Sequence, residues 1–266
     1  MDRPTAAPPL LLERSEGIAT ITINDPPINR MTVAFMDELE ALVESLRDDR
    51  DVRALIFTGA GGTNFSVGMD LKQLPMAVQA KGSLDAVFDQ RLRVLSAIEN
   101  LGKPSIAVLF GYCLGGGLEL PLACHLRIAA EEGCRIGLPE LDLGSVPAWG
   151  GSARLTRCVG RDAALDMMLR ARKISGPEAL RIGLVSEVHP LAELEGRARE
   201  IARELAGMPP IAVAGVLEVA VGAADRSLEE SLAAERRAVL ATMGTKDQRE
   251  GMKAFLEKRR PVFTGE

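Results

Sequence analysis

Polar and apolar residues alternate from Leu10 to Asn24 (LLLERSEGIATITIN). A period of two predicts two strands, with a hairpin turn at Glu16-Gly17. Asp25-Pro26-Pro27 ends the second strand, because proline cannot donate to a ladder. After Thr32 the pattern takes a helical period up to about Arg47. Thr32 is a suitable cap, and Phe35, Met36, Leu39, Val43 and Leu46 form one face. Asp51 to Thr58 (DVRALIFT) reads as a short buried strand that empties into glycines at Gly59 to Gly62. A helix is expected near 85–100, with Val87, Leu92, Leu95 and Ile98 as its core face. Pro104 precedes another buried strand, Ser105 to Phe110, and a helix is expected from about Gly117.

Strand, helix, strand, helix at this spacing argues an α/β fold with right-handed crossovers. From residue 160 onward helices dominate: 161–171, 176–182, 191–207, 211–222, 228–242 and 246–259. Ser175-x-x-Glu178 and Ser227-x-x-Glu230 have the capping-box pattern. Gly207-Met208-Pro209-Pro210 is a helix break. The expected division is an α/β core over residues 1–200 and a helical C-terminal oligomerisation region over 201–266.

Composition narrows the function. The chain has 266 residues, 47% hydrophobic and 26% charged, which excludes a disordered or collagen-like protein. Aromatics are 3%, with one Trp and one Tyr, and the net charge is -5. Such a chain is poorly equipped to stack bases and has no global field favouring nucleic acid or anionic membrane. Cys113, Cys124, Cys134 and Cys158 show no CxxC spacing, and His125 and His189 are the only histidines. This argues against a zinc site and for reduced thiols in a cytoplasmic setting. The N-terminal MDRPTAAPPLLLERSEG has an apolar run too short for a signal peptide. Ile106 to Cys124 is mostly apolar, but it holds Glu119, three consecutive glycines and Pro121. It reads as a buried strand–turn–helix rather than a membrane span.

Two segments share one build: a buried strand, then a glycine-bearing turn able to present bare N–H groups. One ends at Val67-Gly68-Met69-Asp70 and the other at Gly115-Gly116-Gly117. Facing one another, they would form an oxyanion hole. Glu119 lies one helical turn beyond Gly116, in an apolar setting that raises a carboxyl pKa and suits proton transfer. Glu140, in Gly137-Leu138-Pro139-Glu140, offers a second carboxylate. Spacing alone leaves a structural reading open: tight turns, and a glutamate that caps a helix or pairs with arginine. Other motifs fail. Leu120 stands where a dinucleotide GxGxxG starting at Gly115 needs glycine, and neither a P-loop nor a GxSxG string occurs.

At these residues the sequence resembles the crotonase superfamily, the enoyl-CoA hydratase/isomerase family. Two strings carry the likeness: Asn64-Phe65-Ser66-Val67-Gly68-Met69-Asp70-Leu71-Lys72 and Gly111-Tyr112-Cys113-Leu114-Gly115-Gly116-Gly117-Leu118-Glu119-Leu120. Ile174-Ser175-Gly176-Pro177-Glu178-Ala179 and Phe255-Leu256-Glu257-Lys258-Arg259 support it. The resemblance implies a crotonase-like spiral of ββα units with a helical C-terminal region, assembled as a homotrimer or homohexamer. It implies an acyl-CoA thioester as ligand, with coenzyme A part of the substrate and no separate cofactor or metal. Met69 and Gly116 match the oxyanion-hole donors, and Glu119 and Glu140 the two catalytic glutamates of hydratases. Ser66, Gly68, Asp70, Lys72, Gly115 and Trp149 fall at substrate-binding positions, Lys72 near the CoA phosphates.

The activity so implied is hydration of a 2-enoyl-CoA through a stabilised enolate. Isomerase, decarboxylase and thioester hydrolase chemistry share the scaffold, and a non-catalytic acyl-CoA- or RNA-binding relative is a further alternative. One departure concerns the pocket. Many hydratases carry Pro-Gly-Ala-Gly-Gly after the second glutamate, whereas this chain has Pro147-Ala148-Trp149-Gly150-Gly151. The indole either fills the acyl pocket or turns outward between helices. His125 stands where aspartate is common and reads as a structural hydrogen-bonder.

Overall fold

The computed structural model describes residues 7–266. Met1 to Ala6, which open the segment judged too short for a signal peptide, lie outside the described residues. β1 (Leu10–Ser15) and β2 (Ile18–Ile23) form the expected antiparallel hairpin. The chain then winds through repeated units of long strand, short strand and helix. β2 leads to β3 (Arg30–Met31) and α1 (Val33–Arg47). β4 (Ala54–Gly59) leads to β5 (Gly68–Met69), α2 (Leu74–Lys81) and α3 (Leu84–Glu99). β6 (Ser105–Leu109) leads to β7 (Tyr112–Leu114) and α4 (Gly116–Ala123). β8 (Leu126–Ala130) leads to β9 (Arg135–Gly137), α5 (Gly151–Val159) and α6 (Arg161–Leu169). α7 (Gly176–Arg181), β10 (Glu187–His189) and α8 (Leu191–Ala206) complete the core.

The long strands and β10 make a six-stranded sheet in the order β1-β2-β4-β6-β8-β10, parallel beyond the hairpin. The short strands pair β3 with β5 and β7 with β9, and a Ser66–Cys113 bridge joins the two pairs into a second layer. β4 and β6 are almost wholly buried, as parallel strands covered on both faces must be. α8 buries Leu194, Ala198, Ile201, Ala202 and Ala206 in the same core. The chain leaves the core at Gly207–Pro209, later than residue 200, because a division at 200 would cut α8 between buried positions. There it turns by 107° into α9 (Pro210–Gly222), followed by α10 (Leu228–Thr242) and α11 (Lys246–Glu257). Among the described residues no single helix is long and apolar enough to cross a membrane.

Three local expectations change, and the capping box at Ser227 holds. Leu92 is 38% exposed, and the buried face of α3 instead carries Gln90, Arg91 and Val94. Gln90 can be inside because its amide donates to Asp37 at 2.7 Å and Glu40 at 2.8 Å on α1. The short elements α2, α5 and β10 give too little periodicity to be read. Ser227 and Glu230 form a complete capping box. Ser175 accepts from the Glu178 N–H, but the Glu178 carboxylate turns away to Arg172, at 2.8 Å.

Buried side chains lace together the loops that leave β2, β4 and β6. Asn29 Nδ2 donates to the carbonyls of Ala60 (2.9 Å) and Asn64 (2.7 Å), and its Oδ1 accepts from the Asp25 N–H (3.1 Å). Asn64 Nδ2 donates to the Pro27 carbonyl (2.8 Å), while its Oδ1 accepts from the Tyr112 N–H (2.8 Å). Asn64→Ala removes both bonds and leaves a backbone donor and acceptor without partners. The expected loss is about 2–6 kcal/mol, from ~1–3 kcal/mol for each of the two groups left unpaired. An unchanged urea midpoint would show that the loops hold their places without this side chain.

Candidate active site

Two turns meet backbone to backbone. A Cβ on Gly117 would lie 2.2 Å from the Ser66 carbonyl oxygen, and one on Gly68 would lie 2.8 Å from the Gly116 nitrogen. No side chain fits either place without driving the segments apart. Reciprocal bonds lock the pair: Ser66 N–H to Tyr112 O and Leu114 N–H to Ser66 O, both 3.0 Å. The Asp70 N–H donates to Met31 O at 3.2 Å. Successive amides of an extended strand alternate in direction, so the Met69 N–H points away from β3. In α4 the Leu118 and Glu119 amides both donate to Gly115 O, at 2.7 and 2.9 Å. The Gly116 N–H, first in the helix, has no acceptor among the described residues.

Glu119 follows one turn later and is 2% exposed. Its Oε1 accepts from the N–H groups of Trp149 (2.7 Å) and Gly151 (2.9 Å). Burial pushes its carboxyl up to about 7; the two N–H bonds oppose this and the nearby Glu140 adds to it. Glu140 opens a short 3₁₀ turn after β9, is half-buried, and burial raises its pKa as well. Its Oε1 lies beside Gly115, 3.0 Å from where a Cβ would stand. Its Oε2 is buried and accepts no hydrogen bond from any described residue. Both carboxyl groups line one cavity of about 260 Å³, with Met69, Gly116, Phe88 and Trp149 in its walls.

Trp149 turns inward. It is 3% exposed, and its benzo carbons press on Gly116, where a Cβ would come within 2.4 Å of Cζ3. The structure thus brings Met69, Gly115, Gly116, Glu119, Glu140 and Trp149 to one cavity. Ser66, Gly68, Asp70 and Lys72 are not among its lining residues. Ser66 is sealed inside, where its hydroxyl donates to Asn29 O (2.6 Å) and accepts from the Gly68 N–H (3.0 Å). Asp70 caps the next turn by accepting from the Lys72 N–H, and the Lys72 side chain is exposed. Ser66, Gly68 and Asp70 back the wall from inside the protein, whereas Lys72 stands on the surface. His125 is structural: the Ser105 N–H donates to Nδ1 (3.1 Å), which puts the proton on Nε2, facing Glu99 O at 3.2 Å. Sequence reasoning missed Phe88 in the wall and Arg91 against Trp149. Arg91 stands four residues after Val87, so strict helical phase marks it as inward. A larger cleft of about 860 Å³, between the end of α1 and Thr264 to Glu266, contains no buried carboxyl group facing open backbone amides.

Residues 13–266 match the model of a family described as enoyl-CoA hydratase/isomerase. A probable enoyl-CoA hydratase of Bacillus subtilis is 38% identical over 252 residues, covering 94% of this chain and 96% of that protein. A short-chain-enoyl-CoA hydratase of Clostridium acetobutylicum is 34% identical, covering 94% and 95%. The crystal structure of an enoyl-CoA hydratase from Bacillus anthracis superposes with a TM-score of 0.91 at 34% identity, covering 97% of this chain and all of that one. Motifs, spiral fold and whole-length likeness agree, and the chain belongs to the enoyl-CoA hydratase/isomerase family of the crotonase superfamily.

Proposed function

We propose that this protein is an enoyl-CoA hydratase acting on a 2-enoyl-CoA thioester. The observation that carries the reading is the convergence of Glu119 and Glu140 on one cavity beside the Met69 and Gly116 amides. Adding water builds negative charge on the thioester oxygen. Two fixed N–H donors stabilise that charge where it develops. One carboxylate takes a proton from water as the hydroxyl oxygen bonds to Cβ. The C=C pair moves to form the enolate, and the other carboxyl delivers its proton to Cα as the carbonyl re-forms. The two glutamates must therefore hold one proton between them. Burial of both and their mutual repulsion favour that state. Coenzyme A enters as part of the substrate, and this scheme uses no separate cofactor or metal. The inward indole and the modest cavity support a short acyl group, with Trp149 limiting its length.

The helical region supports assembly as a homotrimer or homohexamer. Leu228, Leu232, Val239 and Leu240 on α10 are exposed, and Phe255 on α11 is 82% exposed, a large apolar area for an outer layer. Free thiols, three of the four buried, suit a cytoplasmic setting.

Glu119→Gln and Glu140→Gln are each expected to lower hydration of crotonyl-CoA by ~10²-fold or more, the usual scale for a lost general acid or base. Near wild-type turnover in both folded variants would sink the assignment. A second expectation concerns stability. Folding raises the Glu119 pKa from 4.5 to about 7, so the folded state binds this proton more tightly. Its contribution is full below pH 4.5 and is lost as pH rises through about 7. Glu119→Gln should therefore be more stable than wild type at pH 8, by up to about 3 kcal/mol, with the difference vanishing near pH 4. Urea midpoints at the two pH values check this; a pH-independent difference contradicts it. Light scattering at micromolar concentration should give a trimer or hexamer, and a monomer rejects the assembly.

A further inference from the structure

Arg91 is fully buried on α3, against the wall of the cavity. Its Nη1 donates to the Val87 carbonyl at 2.9 Å and to Gln90 Oε1 at 3.2 Å. Nε and Nη2 are buried with no acceptor among the described residues. A sealed guanidinium with two bare donors is destabilising compared with an apolar side chain of similar length. Packing alone gives no reason for arginine here. What the guanidinium adds is charge, and that charge sits 5.7 Å from the centre of the Trp149 ring, within reach of a cation–π attraction.

Trp149 needs such a hold. Its backbone is fixed on both sides, the N–H by Glu119 Oε1 and the carbonyl by Arg154 Nη1 at 3.0 Å. The indole N–H, in contrast, donates to no described residue, so no hydrogen bond orients the ring. Gly116 stops it on one side, and Arg91 attracts it. Arg91 is itself tied to α1, because Gln90 bonds to Asp37 and Glu40.

We propose that Arg91 is a positioning residue for acyl selectivity: it holds the Trp149 indole in place and so sets which acyl groups the cavity admits. The proposal rests on the reading of this cavity as the acyl site. Trp149 is the only tryptophan, so intrinsic fluorescence reports on this ring alone. The test compares wild type with Arg91→Met, Arg91→Lys and Trp149→Ala. Two quantities are measured: acrylamide quenching of the ligand-free protein (in all but Trp149→Ala) and the kcat/KM ratio of 2-octenoyl-CoA to crotonyl-CoA. Arg91→Met should quench more readily and shift the ratio towards the long substrate by about tenfold, the scale of a desolvated cation–π contact. The shift should run in the direction of Trp149→Ala and lie mainly in KM for the longer chain. Arg91→Lys keeps the charge and should stay near wild type. If Arg91→Met does not fold, Arg91→Gln, which can still donate to the Val87 carbonyl, takes its place. Wild-type quenching and ratio in the uncharged variant, or a lysine variant that behaves like it, overturns the proposal. A wild type that turns over no enoyl-CoA would sink the hydratase reading instead, and quenching, which needs no turnover, would still decide the role of Arg91.

Discussion

The Ser66 carbonyl lies so close to Gly117 that no side chain fits between them, and the site depends on this contact. It brings the turn after β4 against the start of α4. The Met69 and Gly116 amides then serve one cavity, although 47 positions separate them in the chain. A single methyl group at position 117 or 68 would part the two turns. The Met69 and Gly116 amides would then no longer keep their places in one cavity wall.

That contact is held from outside the cavity. Asn29, Asn64 and Ser66 carry no part of the proposed chemistry, yet their side chains bond the loops leaving three neighbouring strands. Parallel strands place these loops at one end of the sheet, so a few buried polar side chains suffice to connect them. Each donor or acceptor is matched, and a matched buried network is rigid where a half-matched one is destabilising. Preorganised amides act on developing charge only because they need not move to meet it.

The cavity itself departs from this economy. Among the described residues Glu119 is ionisable yet buried, Glu140 keeps an oxygen that no group bonds, and Arg91 keeps two donors without acceptors beside the wall. All three lie within or against the cavity. Such groups weaken the folded state, and they gather where charge must be handled away from water. The apolar sheet and helices around them supply the excess stability that lets the fold tolerate them.

Much of the framework was legible in the chain. The hairpin at Glu16-Gly17 and the buried face of α1 follow from local periodicity, and the structure reproduces both residue by residue. The paired glycine turns and the two glutamates were visible as motifs, and their likeness to one family carried the spiral fold. Other features depended on contacts between distant residues. Arg91 lies inside and Leu92 outside because α1 and Trp149 pack on that face, and an apolar tally along α3 cannot see them. Ser66 and Asp70 sit in the motif string but point into the framework, because their partners are Asn29 and the next turn. Trp149 had two open directions in the sequence. The inward one is observed because Glu119, thirty positions earlier, accepts its backbone N–H and draws its loop over the cavity. Sequence alone determined the hairpin, the long helices and the glycine turns, since those follow from neighbours a few residues apart, but not short elements such as α2, α5 and β10. Tertiary structure decided which side chains face the cavity, since that direction is set by partners tens of residues away.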